Sequence, residues 1–230
     1  MFVGHYGPAF ALKRAVPEAS LAVLGTAVQL VDIAWAILVF AGVEQVRIVP
    51  GFTESNALDL HFIPYTHGLV SAVLWSVFGA LVAGWFARSK RVFVAVALAI
   101  ASHWILDLLT HRPDLPIYGD EMKVGLGLWN YRWPAFAAEV LSLGVGLLLY
   151  VRGSRPRDAI GRFGPAVLFV ALTGAQLVNL LVAPTDTPFA TAGGALLSFL
   201  AIPVAMASVD RHREHPTNSS RVTRARTMHT

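Results

Sequence analysis

The chain has 230 residues, of which 55% are hydrophobic and only 14% charged, with a mean hydropathy of +0.59. A soluble domain carries about 25% charged residues, and so few charges cannot cover this much apolar surface in water. The formal charge of +4 comes from 18 Lys and Arg against 14 Asp and Glu set in short loops between apolar runs, a pattern of membrane orientation that excludes nucleic acid as the expected partner.

The absence of cysteine rules out disulfides, thiolate zinc sites and thiol catalysis. Residues 1–12 are apolar except for His5 and Tyr6, and end at Lys13-Arg14. The basic pair follows the apolar stretch, so it does not read as a signal peptide. It is also too short to span a bilayer, which leaves a half-helix tucked among other helices or a segment lying in the interface.

Apolar runs near the required 20 residues then occur at 19–41, 63–86, 92–111, 135–151, 164–183 and 190–208. The fourth is short, but Trp129, Tyr131 and Trp133 precede it as an interfacial belt, and Pro134 suits the first turn of its helix. Basic residues gather before the first span, between spans two and three (Arg88, Lys90, Arg91), between four and five (Arg152, Arg155, Arg157, Arg162) and after the sixth. The intervening loops are basic-poor or balanced. These features predict an all-α polytopic membrane bundle of six transmembrane helices, one domain over 1–209, with both termini cytoplasmic at the plasma (inner) membrane. The segment 210–230 reads as a disordered basic tail.

An ionised side chain within a span costs roughly 2.5–3.5 kcal/mol at the centre, so such groups pair, bind metal or line a wet cavity. Asp32 lies in span one, with Gln29 before it. His67 opens span two, span three carries His103 and Asp107 and ends at His111, and span four carries Glu139. His103 and Asp107, four apart, share a helix face, while His111 lies about 80° further round. With the alternating topology, Asp32, His67, His103, Asp107, His111 and Glu139 all fall in the outer half of the membrane. If residues 1–12 fold back, His5 rises roughly 12 Å toward the same depth. Imidazole and carboxylate without thiolate suit a divalent metal, zinc first, with manganese or non-haem iron as alternatives. His61 and Asp59 in the preceding outer loop lie nearby in sequence, and His61 and His111 are possible additional ligands.

His67 following Thr66, His103-x-x-x-Asp107 with Thr110 three residues on, and an earlier helix bearing Asp32 together resemble the bacterial membrane-bound metal-dependent hydrolases called LexA-binding inner-membrane-associated hydrolases. The resemblance covers about residues 1–140, and its N-terminal histidine is matched by His5. The arrangement is also distantly similar to the all-helical zinc phospholipase C and nuclease group. It implies that Asp32, His67, His103 and Asp107 bind metal, with His5 a further ligand, in a hydrolase.

The expected chemistry is hydrolysis of a lipid or lipid-linked phosphoester or ester near the outer leaflet, with Asp107 or Glu139 orienting or deprotonating a metal-activated water. In the 112–134 loop, Arg112, Lys123 and Arg132 are placed to hold a phosphate. The alternative is a proton-coupled transporter using the same Asp, His and Glu groups, although no inverted repeat is visible. Haem ligation by His67 and His103 has no use for Asp107, and a scaffold role leaves the cluster unexplained. The oligomeric state is not legible.

Overall fold

The computed structural model describes residues 1–182 and 187–215. A 3-10 turn at Val3–His5 leads into α1 (Tyr6–Ala15), followed by α2 (Leu21–Val28) and α3 (Leu30–Phe40). A hairpin of β1 (Gln45–Ile48) and β2 (Leu58–Phe62) precedes α4 (Leu69–Ala87) and α5 (Lys90–Thr110). A loop with a 3-10 turn at Leu128–Asn130 then reaches α6 (Arg132–Gly153). After the two-residue β3 (Arg155–Pro156) come α7 (Ala159–Leu181), α8 (Pro188–Arg211) and β4 (Arg213–Glu214), which pairs with β3.

Helices α4 to α8 are each long and apolar enough to cross a membrane. The expected first span is instead broken at Gln29: α2 and α3 meet at 53°, and only together do they have the length and composition of a span. The chain is therefore consistent with a multi-pass membrane protein. Its outer surface supports that reading, because α4 buries only Ala72, Ser76 and Ala80, while Leu74, Phe78, Trp85 and Phe86 lie exposed, the last two at 81% and 82%. Water would penalise such a face, whereas lipid solvates it.

Local sequence explains most element ends. The Ser89, Asp158 and Thr187 side chains accept hydrogen bonds from Val92, Gly161 and Ala190, and so cap α5, α7 and α8. Arg88 adopts φ 48° to close α4 against α5. Three expectations need correction. The second span does not begin at 63: residues 64–68 form a turn and the helix starts at Leu69, so His67 sits just before it. The short fourth span is a helix of 22 residues, because Arg132 and Trp133 join its first turn. Part of the supposed tail is folded, since α8 runs to Arg211 and the buried Arg213 donates from Nε to Ser154 Oγ at 2.8 Å and from Nη1 to the Gly161 carbonyl. Residues 216–230 lie outside the described residues.

The N-terminal segment is the half-helix. Its residues Val3 to Gly7, with Ala9 and Phe10, are buried against α6, α2 and α5. Contact with α6 is backbone to backbone: a Cβ added to Gly146 would lie 2.6 Å from Gly7 Cα, and one added to Gly7 would lie 2.6 Å from the Ser142 carbonyl carbon. Ser142 and Gly146, four apart on α6, thus form a small-residue seam that admits α1. Further along, Phe10 packs on Tyr150 at 5.3 Å between ring centroids. Lys13, expected in an exposed basic patch, is buried. Its Nζ donates to the Pro17 and Ala19 carbonyls at 2.9 Å each and pairs with Asp210 at 3.1 Å, fixing the turn into α2.

Two apolar cores result. One holds Val3, Tyr6, Phe10, Val28, Val31 and Ile100, among others. The second holds Trp35, Val46, Leu60, Ile63, Leu115 and Trp129, and is roofed by the hairpin. The polar residues Asp32, His103 and Asp107 fall where α3 and α5 pass from the first core to the second.

Candidate metal centre

Six side chains from four stretches of chain converge at that junction. Asp107 lies at the middle. Its Oδ2 is 3.0 Å from His103 Nε2 and 3.8 Å from His67 Nε2, and its Oδ1 is 3.1 Å from His5 Nε2 and 3.7 Å from His111 Nε2. Asp32 Oδ1 lies 3.2 Å from His67 Nε2 and 3.6 Å from His103 Nε2. The Met1 amino group donates to Asp107 Oδ1 at 2.6 Å. His5, His67, His103, Asp107 and His111 are all buried, and only the Asp32 side chain reaches the surface, with 13% exposed.

The tautomers follow from the outer hydrogen bonds. Val28 is the last residue of α2, so its carbonyl lacks a helical donor, and it accepts from His103 Nδ1 at 2.7 Å. His111 Nδ1 donates to Asp114 Oδ1 at 2.9 Å, and the Trp129 ring packs on this imidazole at 4.0 Å. His67 Nδ1 donates to Thr66 Oγ1 at 2.8 Å, while that hydroxyl donates to Glu44 Oε2 at 2.6 Å. Glu44 also accepts from the backbone N–H groups of Tyr65 and Thr66, at 2.8 and 2.9 Å. Burial pushes the Glu44 carboxyl up, against the opposing pull of His67 and these hydrogen bonds.

With the Nδ1 protons committed, the neutral imidazoles of His67, His103 and His111 turn lone pairs toward carboxylate oxygens. Acceptor facing acceptor is unfavourable unless a cation lies between them. His103 Nε2 makes no hydrogen bond at all, although it is buried. Protonating every imidazole would cure the conflict only by burying an excess of positive charge. The sets His5–His103–Asp107 and Asp32–His67–His103 each bring one ligand atom per residue within 4.8 Å of one another, spacing that suits a metal ion. Bonds of about 2.0–2.2 Å set tetrahedral ligand atoms roughly 3.4 Å apart, close to the separations seen.

The other residues singled out from sequence fall elsewhere. Glu139 lies beside the N-terminal segment: its Oε1 accepts from Phe2 N at 2.8 Å and its Oε2 from Gly4 N at 2.7 Å. Gln29 Nε2 donates to the Phe2 carbonyl at 3.1 Å, so Glu139 and Gln29 together hold the strand of chain that delivers His5. His61 stays on β2, facing Gln45 Oε1 at 3.2 Å, and Asp59 pairs with Arg47 at 3.9 Å. The loop cations are engaged locally: Arg112 lies over the Phe52 ring, Lys123 donates to the His61 carbonyl, and Arg132 donates to that of Glu54.

Sequence reading missed Glu44 and the role of Ser142 and Gly146. The Ser142-x-x-x-Gly146 spacing was a usable signal for close helix approach; nothing in the sequence ties Glu44 to Thr66.

The class defined here is a helical bundle, consistent with multiple membrane crossings, enclosing a His/Asp cluster fit for a metal ion. Comparison of the chain with family models, curated proteins and solved structures returns no match.

Proposed function

We propose that this protein is a membrane-embedded metal-dependent hydrolase that cleaves a lipid or lipid-linked phosphoester near the outer leaflet of the plasma membrane. The observation that carries the reading is the convergence of the His67, His103 and His111 ring nitrogens, their opposite ring nitrogens already committed, on Asp107 and Asp32. Asp32, His67, His103 and Asp107 would hold the ion, with His5 beside them. When bound, zinc would lower the pKa of a water ligand to about 7 and polarise a phosphoryl oxygen. The chain's own part is to fix that geometry. Val28, Thr66 and Asp114 orient three imidazoles, and Glu44 holds Thr66.

Asp32 is the cluster's one surface-reaching carboxylate, so it is the group placed to accept a proton from an attacking water. Asp107 is ringed by imidazoles, and Glu139 is engaged with the Phe2 and Gly4 N–H groups. Orientation is supported by basic residues collecting at the end opposite the hairpin: Arg91 donates to the Ala15 carbonyl, and the Arg14 side chain lies against Gly153. That arrangement supports cytoplasmic termini, an orientation that would set the cluster toward the outer leaflet.

The test is hydrolysis of phospholipid and phosphomonoester lipid substrates by zinc-loaded protein in vesicles, followed by phosphorus NMR. The expected result is metal-dependent cleavage that falls by at least tenfold in Asp32→Asn assayed at saturating zinc. Zinc-loaded protein inert toward every phosphoester and ester offered would refute the reading.

A further inference from the structure

At the end of the bundle opposite the hairpin, the turn from α1 into α2 and the first turns of α5 enclose a groove of about 410 Å3, lined by Ala15, Val16, Lys90, Arg91 and Val94. Its two sides differ in chemistry. Lys90 and Val94 are four residues apart and share one face of α5, so the groove passes from a charged rim to an apolar wall within a single turn. Val94 is 52% exposed, and Val16 is half-buried against the first core.

Arg91 is built into the rim. Its Nη2 donates to the Ala15 carbonyl at 3.0 Å, and its Nη1 pairs with Glu18 at 3.2 Å. Those two bonds fix the guanidinium and leave its remaining N–H donors uncommitted. Among the described residues the Lys90 side chain has no hydrogen-bond or ionic partner. Glu18 offsets one of the two cations, so the rim keeps a net positive charge. Water solvates Lys90 but not the apolar wall beside it, and lipid tails solvate Val94 but not Lys90. A molecule with an anionic head and an apolar chain satisfies both.

We propose that this groove seats an anionic glycerophospholipid from the leaflet at this end of the bundle, with its phosphate on Lys90 and Arg91 and an acyl chain along Val94 and Val16. The fixed guanidinium offers charge-assisted hydrogen bonds to the phosphate oxygens, and the lysine adds a mobile point charge. A lipid held there bridges the α1–α2 turn to α5. The site is independent of the metal centre.

Full-length protein in detergent would be titrated with phosphatidylglycerol, or with phosphatidylcholine of the same acyl chains, and the bound lipids counted by native mass spectrometry. One basic residue beside an anionic headgroup is worth about fivefold in binding. The first phosphatidylglycerol should therefore bind at least fivefold more tightly than phosphatidylcholine, and Lys90→Gln should weaken it by about fivefold. Arg155→Gln removes an exposed cation outside the groove and should leave that first binding event unchanged. Val94→Trp keeps every charge but fills the apolar wall, and should weaken both lipids. Thermal unfolding of each variant excludes misfolding as the cause. Equal affinity of the parent for the two lipids would overturn the proposal, as would an unchanged preference in Lys90→Gln. Equal losses in Lys90→Gln and Arg155→Gln would show diffuse surface charge and overturn the groove as the seat. Displacement of phosphatidylglycerol by excess inorganic phosphate, with Val94→Trp binding as the parent does, would show a simple anion site and overturn the lipid.

Discussion

Gly146→Ala isolates the seam on which the N-terminal half of the site depends. The new methyl would lie 2.6 Å from Gly7 Cα, and the two carbons need about 1 Å more. Neither neighbour is a side chain that can rotate away, so α1 itself has to retreat from α6. Overpacking of this kind costs about 1–3 kcal/mol, which for a chain of this size lowers Tm by roughly 3–10 °C. The shift also moves His5, whose Nε2 lies 3.1 Å from Asp107 Oδ1 and which is only two residues from Gly7 in sequence. A displacement near 1 Å exceeds the roughly 0.2 Å tolerance of a metal–ligand bond, so metal affinity should fall together with Tm. Gly174→Ala is the control: its Cβ would meet nothing within 4 Å, and alanine raises helix propensity. Differential scanning of both variants in one detergent, with zinc affinity measured alongside, checks the reasoning. A Gly146→Ala protein with unchanged Tm and unchanged zinc affinity would refute the account of how α1 is docked.

Other expectations follow from the outer hydrogen bonds. Thr66→Val removes the hydroxyl that links His67 to Glu44, and should weaken zinc binding by roughly 10- to 100-fold in a competition assay, with Thr66→Ser restoring it. His61→Ala should leave zinc affinity unchanged, because His61 faces Gln45 outside the cluster. At the opposite end, the Gly161 N–H donating to Asp158, with His212 beside it, holds that carboxyl below its ordinary value of 3.8. A lowered carboxyl pKa stabilises the fold above the ordinary value, and that contribution is lost as pH falls through the lowered one. The parent should therefore have a higher Tm than Asp158→Ala at pH 7, and the difference should shrink below pH 3.8.

Long spans were legible because an apolar run has few other homes, and the shared depth of His67, His103, Asp107 and Asp32 followed from simple alternation of the spans. What escaped was contact made across the chain. The break at Gln29 has no proline or glycine to mark it; its stabilisation comes from His103 bonding the Val28 carbonyl and Gln29 bonding the Phe2 carbonyl. Glu139 reads as a reactive carboxylate in sequence, yet its oxygens anchor Phe2 and Gly4, a partnership across 135 residues or more. The hairpin carrying Glu44 was hidden in a loop whose strands are short and half-buried. His111 was placed at the edge of the site by helical rotation, but it ends α5, where the extended backbone at residue 111 and the Trp129 ring turn its imidazole back toward Asp107.

Elemental analysis of the detergent-purified protein, beside a folded His103→Ala, Asp107→Ala double variant, tests the metal centre most directly. The account predicts at least one equivalent of zinc, manganese or iron per chain in the parent and its loss in the variant. A parent devoid of metal even after reconstitution with each of these ions, or a variant that keeps the parent's full complement, would contradict it.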